Sequence, residues 1–246
     1  MSSGPDLFVV CKECGSEVSP YITECPYCGH RLRKRAPDLP REKDGGSRRS
    51  LRRPRLPRLG LPAGSPPYVT IALVAISCVV WVVLRGGYLG AEKLIIIGPL
   101  RGDWWKLFTT QFAYLNGLYA FVTLLAVAIF GWLLERRRGP VVALVVFLGA
   151  GATGALVASA LYAEPIVSGG NAAALGLLAA WAAPDLEAAR AGYYYEGDLL
   201  GVAAIAALLL ALPFARPEAS WLAGVTGALL GLVVGFGMYR LDPPEL

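Results

Sequence analysis

Four of the five cysteines form two C-x-x-C pairs near the start of the chain, with ten residues between the pairs. A C-x-x-C turn directs two thiolates to one point, and zinc takes four soft ligands in a tetrahedron. A glycine follows each pair and gives the backbone the freedom that a tight turn needs. The pattern therefore predicts a zinc ribbon with one structural Zn²⁺ held by Cys11, Cys14, Cys25 and Cys28.

A pair of disulfides is the alternative chemistry for these thiols. The charge pattern places this segment on the reducing cytoplasmic side, and fewer than thirty residues cannot fold on apolar burial alone, so metal is favoured. His30 is the only histidine in the chain. Because four thiolates already fill a tetrahedral shell, we expect His30 to face solvent. Cys78 lies in an apolar run, and we expect it to be a small buried residue.

The composition excludes an ordinary soluble domain, since 55% of the 246 residues are hydrophobic and only 17% are charged. A transmembrane helix needs about 20 mainly apolar residues. Six uncharged runs are long enough: 59–84, 107–134, 139–163, 165–184, 199–215 and 219–239. The sequence predicts an all-α polytopic membrane protein with six transmembrane helices.

Basic residues set the expected topology, because loops rich in Lys and Arg are retained in the cytoplasm. With the N-terminus inside, 18 Lys and Arg flank the helices on the cytoplasmic side and 5 on the other. Both termini are predicted to be cytoplasmic. The domains are then a zinc ribbon at 1–30, a basic Pro-rich disordered linker at 31–67 and a membrane domain at 68–240. The linker suits contact with anionic lipids, and without aromatics it disfavours nucleic acid.

The membrane domain resembles the rhomboid family of intramembrane proteins over residues 68–240. Four features carry the resemblance: an aromatic-basic pair, a T-x-x-F stretch, a G-x-x-x-E-x-x-x-G end to the second helix, and glycines in the sixth. Here they are Trp105-Lys106, Thr109 to Phe112, then Gly131, Glu135 and Gly139, and finally Gly227 and Gly231. The resemblance implies a six-helix rhomboid-like bundle.

The sequence departs from active rhomboids at the residues that do the chemistry. The family's nucleophilic serine and its histidine fall on Asn171 and Gly224, and two oxyanion-stabilising side chains fall on Tyr119 and Thr123. A further family histidine falls on Tyr114. Serine attack needs a base with a pKa near the working pH, so we predict no catalytic residues and a client-binding role for Tyr119, Thr123 and Asn171.

The leading hypothesis is a catalytically inactive rhomboid-like protein, a pseudoprotease, that binds transmembrane clients and docks a cytoplasmic protein through its zinc ribbon. The first alternative is an intramembrane serine endopeptidase that uses Ser168 or Ser220, although no lysine lies in a predicted helix to act as base. The second alternative is a zinc-ribbon regulatory or nucleic-acid-binding module tethered to the membrane.

Overall fold

The computed structural model describes residues 9–19, 22–32, 66–190, 192 and 198–241. The chain divides into two units, residues 1–53 and 54–246. Most of the predicted linker, residues 33–65, lies outside the described residues. The linker and the domain boundaries therefore stay predictions.

The first unit holds a two-stranded antiparallel ribbon and two matching turns. Strand β1 (Val9–Val10) pairs with β2 (Glu17–Val18), with Val9 opposite Val18. In each turn the glycine N–H donates to the first cysteine of its pair, Gly15 to the Cys11 carbonyl and Gly29 to the Cys25 carbonyl. Both glycines have φ of 71°, a backbone conformation that other residues rarely adopt, as the sequence predicts.

The described residues of the second unit form a bundle with six long helices, which match the six uncharged runs. They are α1 (Tyr68–Arg85), α3 (Gly117–Arg138), α4 (Pro140–Leu161), α5 (Asn171–Arg190), α6 (Leu199–Ala215) and α7 (Trp221–Leu241). A one-turn helix, α2 (Lys106–Thr109), lies between α1 and α3. Within the described residues, α1, α3, α4 and α7 are long and apolar enough to cross a membrane.

The described part of the second unit also contains two short strands, in the loops between its helices. Strand β3 (Ile96–Ile97) pairs antiparallel with β4 (Ile166–Val167). The pairing ties the long segment after α1 to the segment that leads into α5. It therefore helps to position the first residues of α5.

The ends of α3 explain why it is offset from its uncharged run, 107–134. The Asn116 side chain accepts hydrogen bonds from the N–H groups of Leu118 and Tyr119 at 3.0 and 3.2 Å, and so caps the helix start. The helix continues through its last basic residues to Arg138 and ends at Gly139, whose φ is 95°. Pro140 then begins α4, where its missing N–H is no loss.

Helix α5 occupies the centre of the bundle, with 14 of its 20 residues buried. It packs against α3, α4, α6 and α7. The glycine-bearing face of α7 approaches α5 closely. A Cβ added at Gly227 would lie 2.2 Å from the Ala172 carbonyl oxygen, and one at Gly231 would lie 2.2 Å from that of Gly176. Small residues thus let α7 lie directly against the α5 backbone.

Helix α1 is held at its start by a buried carboxylate, Glu135, near the end of α3. Glu135 accepts hydrogen bonds from the Val69 N–H, the Thr70 N–H and the Thr70 hydroxyl at 3.1, 2.9 and 2.7 Å. Beyond this contact α1 buries little, and Cys78 is exposed. The prediction that Cys78 is buried is wrong, because α1 buries only the side that carries Thr70, Leu73 and Ser77.

Candidate functional site

The four predicted zinc ligands come together in the first unit. Their sulfur atoms all lie within 4.8 Å of one another, and the distances from Cys11 to Cys28 and from Cys14 to Cys25 are both 3.6 Å. A tetrahedron with Zn–S bonds of about 2.3 Å has edges of about 3.8 Å. The sulfurs are therefore spaced to hold a tetrahedral metal ion. His30 is exposed and lies outside the cluster, as predicted.

Local contacts give the Cys14 and Cys28 thiols different pKa values. Those from the Ser16 side chain and backbone lower the pKa of Cys14 to about 6. At Cys28 the His30 backbone hydrogen bond acts in the same direction, but desolvation and the neighbouring thiols raise the pKa to about 12. A cation would displace the remaining thiol protons, so its binding strengthens as pH rises.

The second candidate site lies where the chain enters α5. The aligned positions 171 and 224 face one another there, since a Cβ added at Gly224 would lie 3.3 Å from Asn171 Nδ2. Asn171 is only 3% exposed, and its Nδ2 donates to the Leu209 carbonyl of α6 at 3.2 Å. Its Oδ1 has no hydrogen-bond partner among the described residues. A polar amide thus lies against a helix that carries no side chain at the facing position.

The other two predicted client contacts lie on α3 and are also buried. The Tyr119 hydroxyl donates to the Ser168 carbonyl at 3.0 Å. Thr123 is fully buried, and its hydroxyl finds no partner within the described part of the chain. With Tyr119 at 1% exposure, none of the three side chains is open to another molecule in this conformation.

A small cavity joins several of these groups. Its volume is about 10 Å³, which is roughly the space of one water molecule. Tyr119, Ser168, Asn171 and Ser220 line it, and the Ser168 hydroxyl has no partner in the regions described. Ser220 instead accepts a hydrogen bond from the Ala223 N–H at 3.2 Å, as a helix cap does. No His, Asp, Glu, Lys or Cys is among the residues that line this cavity.

Two neighbours of the site were not among the predicted client contacts. Gln111 is buried, and a Cβ added at Gly151 would lie 2.0 Å from its Oε1. Tyr114 is also buried, and its hydroxyl accepts the Gly170 N–H at 3.1 Å. Burial raises the pKa of Tyr114 above its ordinary value. Gln111 lies within the T-x-x-F stretch, which is the one sequence signal that points to it.

A larger groove of about 530 Å³ opens beside this cavity, and Ser220 lines both. We call it the α6–α7 groove, since it includes Pro213 near the end of α6 and Trp221 at the start of α7. Tyr162 adds a second aromatic ring, and Glu164 and Glu218 add two carboxylates. Trp221 is 55% exposed. The groove thus presents an accessible aromatic and acidic surface, whereas the neighbouring side chains of Asn171, Tyr119 and Thr123 are buried.

Comparison with known families supplies the classification. Residues 101–241 match the family model of the Rhomboid domain, which covers more than half of the chain but leaves α1 outside. No curated protein matches the chain. Together with four apolar helices of membrane-spanning length, the domain makes this an integral membrane protein. The chain belongs to the rhomboid family.

Proposed function

We propose that this protein is a catalytically inactive rhomboid, a pseudoprotease that binds transmembrane segments of other proteins. The observation that carries the proposal is the pairing of Asn171 with Gly224 at the start of α5. Neither residue can act as nucleophile or general base, and losing either member of a serine-histidine pair removes most of the catalysis. The only histidine, His30, follows a cysteine pair of the zinc ribbon instead of lying on a membrane helix.

Client binding is proposed to begin in the α6–α7 groove. The exposed Trp221 and Tyr162 rings offer apolar contact area with a polar edge, the combination that is enriched at interfaces and at membrane boundaries. Asn171, Tyr119 and Thr123 would join as client contacts only after the helices move apart. Asn171 Oδ1 and the Thr123 hydroxyl, which have no partner among the described residues, would then find partners in a bound segment.

The first unit is proposed to dock a cytoplasmic protein through a zinc ribbon. Cys11, Cys14, Cys25 and Cys28 would hold Zn²⁺, which supplies folding free energy that so small a segment cannot obtain by burial. The basic segment before α1 is proposed to contact anionic lipids and to keep both termini in the cytoplasm.

A fluorophosphonate probe tests the absence of catalysis. Purified protein in detergent is expected to stay unlabelled under conditions in which an active rhomboid is labelled fully. Labelling that Ser168→Ala or Ser220→Ala abolishes would identify a serine nucleophile and show that the protein is a protease.

Photocrosslinking tests the groove. A photoreactive amino acid replaces Trp221 or, as a matched control on the same helix, Leu229, which is 56% exposed. In liposomes that contain a panel of single-span membrane proteins, position 221 is expected to yield protein adducts and position 229 mainly lipid adducts. Equal protein adducts from both positions would remove the support for a client groove.

A further inference from the structure

The backbone N–H groups that lead into α5 are already used within the chain. Ser168 donates to the Glu218 carbonyl at 3.2 Å, Gly169 to the Thr110 carbonyl at 2.9 Å and Gly170 to the Tyr114 hydroxyl at 3.1 Å. The Tyr119 hydroxyl donates to the Ser168 carbonyl of the same segment at 3.0 Å. Three successive N–H groups before this helix thus have internal partners.

The two glycines before Asn171 make room for the two tyrosines. A Cβ added at Gly169, where φ is 78°, would lie 2.5 Å from the Tyr119 ring. One added at Gly170 would lie 2.9 Å from the Tyr114 hydroxyl oxygen. The rings contact each other edge to face, with centroids 5.4 Å apart. The two tyrosine side chains can therefore pack here only because residues 169 and 170 have no side chains.

A helix start with free N–H groups is the usual place for an anionic ligand or for the oxyanion of an acyl-transfer intermediate. We infer that the Tyr114 hydroxyl occupies the position that such an oxygen would take at the Gly170 N–H, with Tyr119 packed beside it against Gly169, so that this end of α5 is closed to anions. The inference rests on the proposed inactivity and deepens it: besides lacking a nucleophile and a base, the site has the N–H groups of residues 168–170 already occupied.

Reconstruction of the site tests this inference. The first variant carries Asn171→Ser and Gly224→His, and the second adds Tyr114→Phe and Tyr119→Phe, which remove only two hydroxyls. In fluorophosphonate labelling the serine oxygen bonds to phosphorus, fluoride leaves and the histidine takes the serine proton. We expect the second variant to label at least tenfold faster. A control that instead adds Tyr68→Phe and Tyr88→Phe, at exposed rings, should label like the first.

Amide hydrogen exchange tests the same contact in the otherwise unchanged protein, without any reconstructed chemistry. Tyr114→Phe keeps the ring and removes the acceptor of the Gly170 N–H. We expect the peptide that covers residues 168–172 to exchange at least tenfold faster in this variant, and Tyr88→Phe to leave that exchange unchanged. If the probe labels neither reconstructed variant, this measurement alone decides whether the Tyr114 hydroxyl occupies the Gly170 N–H.

The inference is overturned if the first reconstructed variant labels as fast as the second, or if Tyr114→Phe leaves the exchange of residues 168–172 unchanged. Labelling of the natural sequence is a different result, which would overturn the proposed inactivity itself. The two failures are therefore distinguishable.

Discussion

Removing the Glu135 carboxylate should release the start of α1. Glu135 is fully buried and accepts three hydrogen bonds from Val69 and Thr70, the only side-chain contacts that cap this helix within the described residues. A hydrogen bond to a charged group contributes about 1.5–3 kcal/mol, and losing a helix cap costs about 0.5–2 kcal/mol. Since bonds that share one group are not additive, we expect Glu135→Ala to lower the free energy of unfolding by about 3–5 kcal/mol.

Graded variants separate the three bonds. Thr70→Val removes only the hydroxyl and should lower the free energy of unfolding by about 1.5 kcal/mol. Glu135→Gln keeps one acceptor oxygen, so its effect should lie between those of Thr70→Val and Glu135→Ala. Thermal unfolding in detergent is the assay, and about 2–4 °C per kcal/mol predicts a fall in Tm of roughly 10 °C for Glu135→Ala. Glu92→Ala is the matched control, because Glu92 is exposed. If Glu135→Ala and Glu92→Ala unfold within about 2 °C of each other, the capping argument is wrong.

Two further substitutions test the helix packing and the metal site. Gly231→Ala places a methyl group against the α5 backbone and should destabilise the protein by about 3 kcal/mol or more in the same unfolding assay, whereas Gly237→Ala, with nothing within 4 Å, should not lower the Tm. The natural protein should carry one zinc ion per chain by elemental analysis, and Cys25→Ser should abolish this while Cys78→Ser does not; equal metal content in both variants would contradict the four-thiolate site.

The number of long helices was predictable because charge is costly inside a bilayer, so charged residues mark where apolar runs end. The bounds were less predictable. The run 107–134 includes ten residues before α3, because the Asn116 side chain caps the helix there, and a search for charges does not detect a cap. At the other end the helix passes three arginines and stops only where Gly139 adopts a positive φ.

The positions of the candidate site were predictable by alignment, but their burial was not. The family motifs bring Asn171 and Gly224 together, and the structure places them face to face. Nothing in the motifs indicates that Asn171, Tyr119 and Thr123 are closed off, since this depends on how tightly α5 is enclosed. Cys78 shows the opposite error, because an apolar residue in a membrane protein can face lipid as readily as it faces the core.

The unequal packing of α5 and α6 indicates where the bundle would open for the proposed client. Helix α5 cannot shift without separating its backbone from the α7 glycines, whereas α6 buries only Leu209 and Leu212 among its 17 residues. In a bilayer, lipid can replace the lost apolar contacts of α6 at little cost. The bond between Asn171 Nδ2 and the Leu209 carbonyl is the polar contact that such a movement would break. Movement of α6 would therefore expose Asn171 while the rest of its surroundings on α5 stayed in place.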